Sequence, residues 1–555
     1  MNIYFSGIGG VGIGPLAEIA FDAGYRIQGS DAHEGRMARA LQDRGIPITD
    51  NQDGMFLQTC HDEQPIDWLV HTSALPSDHP ELVLARRLGI KTAKRDELIA
   101  RIIKEKNLKL IAVAGTHGKT TTTGMLVWTF QQLHIPISYS VGTSLSFGPS
   151  GKFDPSSEYF IYECDEFDRN FLHFSPHLSL ITSIDYDHPD TYPTKNDYTA
   201  AFKQFVSQSD MVIMWHANNT TIQATAEDGW ILGDMEVMED IRLTGAHNRR
   251  NATLVAKAFE YMQPEGYDAS RIHNLLSTFP GTDRRFERLA DGLYTDYGHH
   301  PIEIAATLQL AREIADHVIL VYQPHQNIRQ HEIRHEYTTC FEQADQIYWL
   351  PTYLSREDPT LPLLTPHDLI QTITNKAAVH VADLDDTLWN HIQEARDRGS
   401  LVLTMGAGSI DGWVRGQLAV KQVANVLVID QAGRFILQKR DDNPLINNPG
   451  MITGFGGAVE AGETLREAAY RELHEETNLV FTTDQLVYHT TIFQPLVNDG
   501  TSRWVTYYTF HAADISHLEV YEGQGYVPVS PTDDFDDYNL SPTVRQAMQS
   551  YRERS

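Results

Sequence analysis

Between residues 109 and 132 an apolar run, LIAVA, passes directly into the loop GTHGKT and then into a helix-forming stretch, TTTGMLVWTFQQ. A strand that enters a glycine-rich turn and leaves as a helix belongs to a layered α/β fold, because the helix must return the chain to the next parallel strand. Successive backbone N–H groups in such a turn can cradle phosphate oxygens. Lys119 can reach terminal phosphates, and the Thr120 hydroxyl can ligate Mg²⁺. The loop is shorter than the standard phosphate loop, and Val113 stands where that motif begins.

The same alternation recurs along the chain. IYFSGIGGVGIGPLAEIAFDAGYRIQGSD reads as a strand, the turn Gly7-x-Gly9-x-x-Gly12, a helix and a second strand ending at Asp31. Taken alone, it fits a dinucleotide site with Asp31 on a ribose, or a tight turn with no ligand. YFIYECDE and HLSLITSIDYDH are further apolar strands, ending at Glu163 and His188, residue types that can hold a metal beside a phosphate loop. These patterns predict a mostly parallel sheet between helices.

At 555 residues the chain should hold about three or four domains. Seams are expected near residues 100–108, 278–282 and 416–424. Beyond the last, VANVLVIDQAGRFILQKRDD reads as a hairpin around DQAG, the start of a separate α+β module. A formal charge of −30 argues against a nucleic-acid polymer as ligand. Cys60, Cys164 and Cys340 form neither a disulfide framework nor a zinc motif. The start MNIYFSGIGGVG lacks the features of a signal peptide, and no run of 18 apolar residues occurs, so a cytoplasmic protein away from membranes is expected.

The segment GGAVEAGETLREAAYRELHEETNL, residues 456–479, is rich in carboxylates. On a helix Glu472 and Glu476 are four apart and Glu475 is three from Glu472, so all three fall on one side. Anionic groups held that close call for cations between them, and Mg²⁺ is the natural one. Gly457, Glu463, Arg471, Glu472, Leu473, Glu475, Glu476 and Leu479 match the Nudix box, with Asn478 at its usual glycine. Asn tolerates the left-handed conformation expected at the helix C-cap. The chain from about 420 to 555 therefore resembles the Nudix hydrolases. That resemblance implies attack of water on a nucleoside diphosphate derivative, with metal on Glu472, Glu475 and Glu476 and Glu475 catalytic.

The order GTHGKTTTT, ECDEFDRNFL, DYDHPDTY, GAHNRRNA, FPGTDRRFE, DYGHHP, QPH and GAGSI, from residue 1 to about 418, resembles the Mur ligases of peptidoglycan synthesis. It is most similar to the branch that joins L-alanine to UDP-N-acetylmuramate. The resemblance implies an α/β protein of three domains, a Rossmann-like UDP-sugar domain (1–106), a central ATPase domain (107–280) and a Rossmann-like amino-acid domain (281–419), followed by Nudix residues 420–555. By position it implies that Gly7, Gly9, Gly10, Gly12, Asp31 and Arg284 hold the UDP-sugar, in place of a dinucleotide. Gly115, Thr116, His117, Gly118, Lys119, Thr120, Thr121, His247, Asn251 and Asp296 would bind ATP, and Thr120, Glu163 and His188 would hold Mg²⁺ or Mn²⁺. Lys119, His188, Arg285 and His300 would be catalytic, and His299 and Arg329 would meet the amino acid.

The implied reaction phosphorylates the muramoyl carboxylate and then lets an amine displace phosphate. Many of these ligases carry two arginines after QPH, whereas this chain has Gln326 and Arg329. A different amino acid, or a recycled peptide, therefore stays open as the substrate, as does a Nudix module that binds a nucleotide for regulation without turnover. A nicotinamide-dependent dehydrogenase is the third reading. No obligate protein partner is implied.

Overall fold

The structure is a computed structural model describing residues 1–554 apart from 11, 34, 73–74, 189–190, 225–228, 356, 445 and 496–500. The chain divides into two compact units, Met1–Arg285 and Phe286–Ser555.

The first unit contains two sheets. One is parallel and five-stranded, in the order Ile48–Thr49, Arg26–Ser30, Asn2–Ser6, Trp68–His71, Lys91–Ala93. The other has seven strands, in the order Trp230–Leu232, Val212–Trp215, Leu178–Ile181, Lys109–Ala114, Tyr159–Glu163, Ile137–Ser140, Gly151–Lys152, and its last pairing alone is antiparallel. The central strands are apolar almost throughout because both faces are covered, as a parallel sheet requires. Lys109–Ala114 pairs on one side with Leu178–Ile181 and on the other with Tyr159–Glu163, so the chain changes winding direction there. The loop after that strand opens at the crevice where α/β sheets bind ligands.

The second unit also has two sheets. The first runs Glu287–Ala290, Leu293–Asp296, Leu401–Met405, Val318–Tyr322, Gln346–Trp349, Val379–Val381 and is parallel except at its first pairing. The second is built around Lys421–Ile429, which pairs antiparallel with Phe435–Lys439 and Phe455–Ala458 and parallel with Arg503–His511. The hairpin around DQAG is formed, with Val428 opposite Ile436, and Asp430 Oδ1 closes the turn by accepting from the Ala432 and Arg434 amides at 2.9 and 2.8 Å. Alternation along the strand sends Leu427 and Ile429 to the core under helix Pro542–Arg554. Val426 and Val428 go to the core under helix Leu465–Glu476.

The seam near 416–424 is not a linker. Helix Ile410–Ala419 is followed after Val420 by strand Lys421–Ile429, and Trp389, Trp413 and Trp504 share one core across that junction. The module beyond residue 420 thus shares an apolar core with the sheet before it.

Candidate functional site

Helix Lys119–Gln132 begins at Gly118, which holds φ 83° and faces the Asn251 side chain so closely that a Cβ there would lie 3.0 Å from Oδ1. A residue with a side chain would be strained at this turn. Lys119 Nζ donates to the Gly115 carbonyl at 2.6 Å and to Glu166 Oε2 at 2.6 Å. Burial works against charge on Lys119, but the Glu166 and Asp165 carboxylates outweigh it and hold the ammonium above its ordinary pKa. Thr120 Oγ1 donates to Glu163 Oε1 at 2.8 Å, and Glu163 Oε2 accepts from the Gly142 amide at 2.8 Å.

His188 lies against a neighbouring carboxylate of the same run. Its Nε2 lies 3.8 Å from Glu166 Oε1, and Asp165, Glu166 and His188 offer ligand atoms within 4.8 Å of one another. Among the described residues this is the one group of three acids or imidazoles so arranged. Hard carboxylate oxygens with one imidazole, beside a buried carboxylate, suit a divalent cation such as Mg²⁺ or Mn²⁺.

In the amino-terminal sheet, Gly7 and Ile8 both donate their amides to Ser30 O, and Gly9 N donates to Asp31 Oδ2 at 2.8 Å. The loop bearing Gly10 and Gly12 is thereby tied to the end of strand Arg26–Ser30 and to Asp31, which follows it. Ser6 and Ser30, immediately before these two features, both donate to fully buried Glu81. Arg284 and Arg285 follow Thr282, whose methyl group approaches Gly124 of the phosphate-loop helix. Asn251 and His247 lie on helix Ala246–Met262.

The remaining expected ligands lie in the second unit. Asp296 ends a strand and accepts from the Phe286 amide at 2.8 Å and the Gly298 amide at 2.7 Å. His300 caps helix Pro301–Ile314. Arg329 Nη1 lies 2.8 Å from His299 Nε2, and His299 Nδ1 faces the Tyr297 carbonyl at 3.2 Å. A guanidinium can only donate, so His299 is neutral, with its proton on Nδ1. Burial and Arg329 push its pKa down to about 3. Gln326 adopts φ 61° and donates its amide to Tyr353 O at 2.8 Å.

The acidic helix Leu465–Glu476 starts with a capping box between Thr464 and Glu467. Arg471 holds Glu463 through Nε at 2.7 Å and Nη2 at 3.0 Å, and Glu472 through Nη1 at 2.8 Å. Gly457 is required beneath this group because a Cβ there would come 2.4 Å from Glu472 Oε1. Glu476 is buried and accepts from Gln438 Nε2 at 3.0 Å and the Gly456 amide at 2.9 Å. Burial raises the Glu476 pKa to about 8, with Gln438 opposing and Glu522 adding. Burial also raises that of Glu472, with Arg471 opposing and Glu475 and Glu522 adding. Two carboxylates whose charge is opposed by burial and like neighbours fit a site for cations.

Two expectations change here. Glu472, Glu475 and Glu476 do not meet within mutual ligating reach: Glu475 is exposed and 3.4 Å from Arg471, while Glu476 turns inward. Asn478 is not left-handed, since the helix ends at Thr477 in an extended conformation and Asn478 docks edge-on, donating to His517 O and accepting from the Glu519 amide. Its side chain takes up a sheet-like connection that a glycine could not make.

Family models match the chain in four consecutive pieces: Mur ligase family, catalytic domain, at 2–107; Mur ligase middle domain at 113–232; Mur ligase, glutamate ligase domain, at 284–408; and NUDIX domain at 420–537. The UDP-N-acetylmuramate–L-alanine ligase of Nocardioides sp. is 32% identical over 429 residues, 74% of this chain and 94% of the relative. That of Clostridium perfringens is 30% identical, over 74% and 96%. The chain is a Mur ligase. It also carries a Nudix domain. Over 75% of the chain the fold is similar to that of UDP-N-acetylmuramate-alanine ligase MurC from Thermotoga maritima (TM-score 0.57, 22% identity, 98% of the other chain).

Three acids of this Mur ligase were missed by reading its sequence. Asp165 and Glu166 lie in the same run as Glu163, where four carboxylates between 163 and 168 were the available signal. Glu522 comes from a distant loop, and its segment, YEGQGYVP, carried no motif.

Proposed function

We propose that this Mur ligase joins L-alanine to UDP-N-acetylmuramate at the expense of ATP, and that its Nudix domain hydrolyses a nucleoside diphosphate derivative. The observation that supports the ligase reading most is the convergence of Lys119, Thr120, Glu163, Glu166 and His188 where the central sheet changes winding. Lys119 is held charged by Glu166 and aimed along the loop by the Gly115 carbonyl, so it arrives at the phosphates already oriented. Mg²⁺, when bound, supplies charge neutralisation on the phosphate oxygens. Thr120, Glu163 and His188, with Asp165 and Glu166, are the residues to hold it.

The proposed division is 1–106 for the UDP-sugar, with Gly7, Gly9, Gly10, Gly12 and Asp31, and 107–280 for ATP, with Gly115 to Thr121, His247 and Asn251. Residues 281–419 take the amino acid, with His299 and Arg329, while Asp296 serves ATP and His300 is catalytic. Arg284 serves the sugar and Arg285 the developing charge on the phosphoryl group. Neutral His299 fixes Arg329, whose guanidinium is suited to an amino-acid carboxylate. At 420–555, exposed Glu475 takes a proton from the attacking water, while Glu472 and Glu476 hold the cation.

Incubation of the full chain with UDP-N-acetylmuramate, ATP, Mg²⁺ and a panel of amino acids tests this reading through ADP release. L-alanine should stimulate release most. Stimulation by another amino acid or only by a peptide moves the specificity, and no stimulation by any of them removes the ligase reading. A parallel panel of nucleotides, with Glu475→Gln as control, separates Nudix turnover from binding alone.

A further inference from the structure

The helix Asp386–Asp397 belongs to the ligase portion, yet its outward face is spent on the Nudix portion. Trp389 packs against Trp413 and Trp504, with ring centroids 6.0 and 6.2 Å apart. Asn390 Oδ1 accepts from the Thr491 amide at 2.9 Å and from the Tyr488 hydroxyl. Trp504 Nε1 donates to Gln417 Oε1 at 3.0 Å.

Asp397 closes this interface. It is the last residue of its helix, where a negative charge opposes the helix dipole, so something outside the helix must offset it. That partner is Arg466, the second residue of the carboxylate helix, which reaches Asp397 Oδ1 through Nε at 3.2 Å and Oδ2 through Nη2. The Asp397 side chain is 4% exposed. Tyr508, on strand Arg503–His511, donates to Asp397 Oδ1 at 2.6 Å. One carboxylate of the ligase portion thus grips both the carboxylate helix and the sheet beneath it. That helix-on-sheet registry decides whether Glu472 sits over Gly457 and Glu476 over Gly456.

We propose that Asp397 is a positioning residue for the Nudix site: the ligase portion supplies the clamp that sets the spacing of the hydrolase carboxylates. The inference rests on the reading of residues 420–555 as a metal-dependent Nudix site. It makes the Nudix portion a dependent half of one body, so that its cation affinity is set partly by a residue outside the NUDIX match at 420–537.

The test uses the full chain and Asp397→Asn. Hydrogen exchange of residues 465–476 is followed against Mn²⁺ concentration, beside ADP release by the ligase. The Mn²⁺ midpoint for protecting the helix should rise about fivefold or more in Asp397→Asn, while ADP release stays within about twofold. Arg466→Gln should give the same shift, and the double variant no more than either single one. A purely structural role would lower the melting temperature and leave the midpoint in place. An unchanged midpoint, or a wild-type helix that Mn²⁺ does not protect, overturns the proposal. The exchange readout needs no turnover, so a chain that hydrolyses no nucleotide removes the hydrolase reading while the shift is still measured.

Discussion

Arg329 Nη1 and His299 Nε2 lie 2.8 Å apart, a guanidinium donating to an imidazole that must stay neutral to accept. The His299 pKa is about 3, below its ordinary 6.5, so the linkage has a definite sign. The stability it contributes is fully present above pH 6.5 and is lost as pH falls toward 3. The ring of His299, followed by nitrogen-detected NMR, should keep its Nδ1–H tautomer without titrating between about pH 5 and 8. His299→Gln should lose stability less steeply in acid than the wild type. A titration midpoint near its ordinary value would show that Arg329 does not engage it.

Lys119 and Glu166 form a buried pair, with side chains 14% and 1% exposed. Lys119→Ala should abolish ADP release and also destabilise the first unit by about 3–5 kcal/mol, because Glu166 is left buried without its cation. Adding Glu166→Gln should recover much of the stability and none of the activity. Denaturant unfolding of the two variants checks both halves, and equal stability of single and double variants would show that the pair carries no charge.

Metal-free protein should become less stable as pH rises through the titration of Glu476. Its folded pKa of about 8 lies above the ordinary 4.5, so this contribution is complete below about pH 4.5 and is lost by about pH 8. Glu476→Gln should flatten that slope in thermal melts, and saturating Mg²⁺ should do the same in the wild type by favouring the carboxylate. A wild-type slope unchanged by either would place Glu476 among ordinary carboxylates.

Gly457→Ala puts a methyl group 2.4 Å from Glu472 Oε1, so the carboxylate must swing away. Half-saturation by Mn²⁺ at the Nudix site should rise about tenfold or more, the scale seen when groups that orient ligands are disturbed. ADP release by the ligase site should be unaffected. A normal Mn²⁺ midpoint would mean that Glu472 is not part of the cation site.

Local chemistry made much of the architecture legible in the sequence. The apolar run before Gly115 and the hairpin around DQAG each follow from neighbours a few residues apart, and each is present. The choice among Glu163, Asp165 and Glu166 was not legible. All three follow one strand, and the backbone path of the turn, not their spacing, points Glu163 at Thr120 and Glu166 at Lys119. Asn478 misled for a related reason: a helix can end in extended backbone when the next residue has an edge to pair with, and that edge, near Glu519, is distant in sequence. The shared core of Trp389, Trp413 and Trp504 was invisible because each tryptophan, read alone, looks like an ordinary core residue.

The central claim is that ATP activates a carboxylate and an amine captures it. It is tested most directly with UDP-N-acetylmuramate labelled with ¹⁸O in both carboxylate oxygens, together with ATP, Mg²⁺ and L-alanine, and mass spectrometry of the products. The expected result is one ¹⁸O in the released phosphate and one in the new amide, because the carboxylate oxygen that attacks phosphorus leaves with it. Amide formed with unlabelled phosphate, or ADP released with no amide, would contradict it.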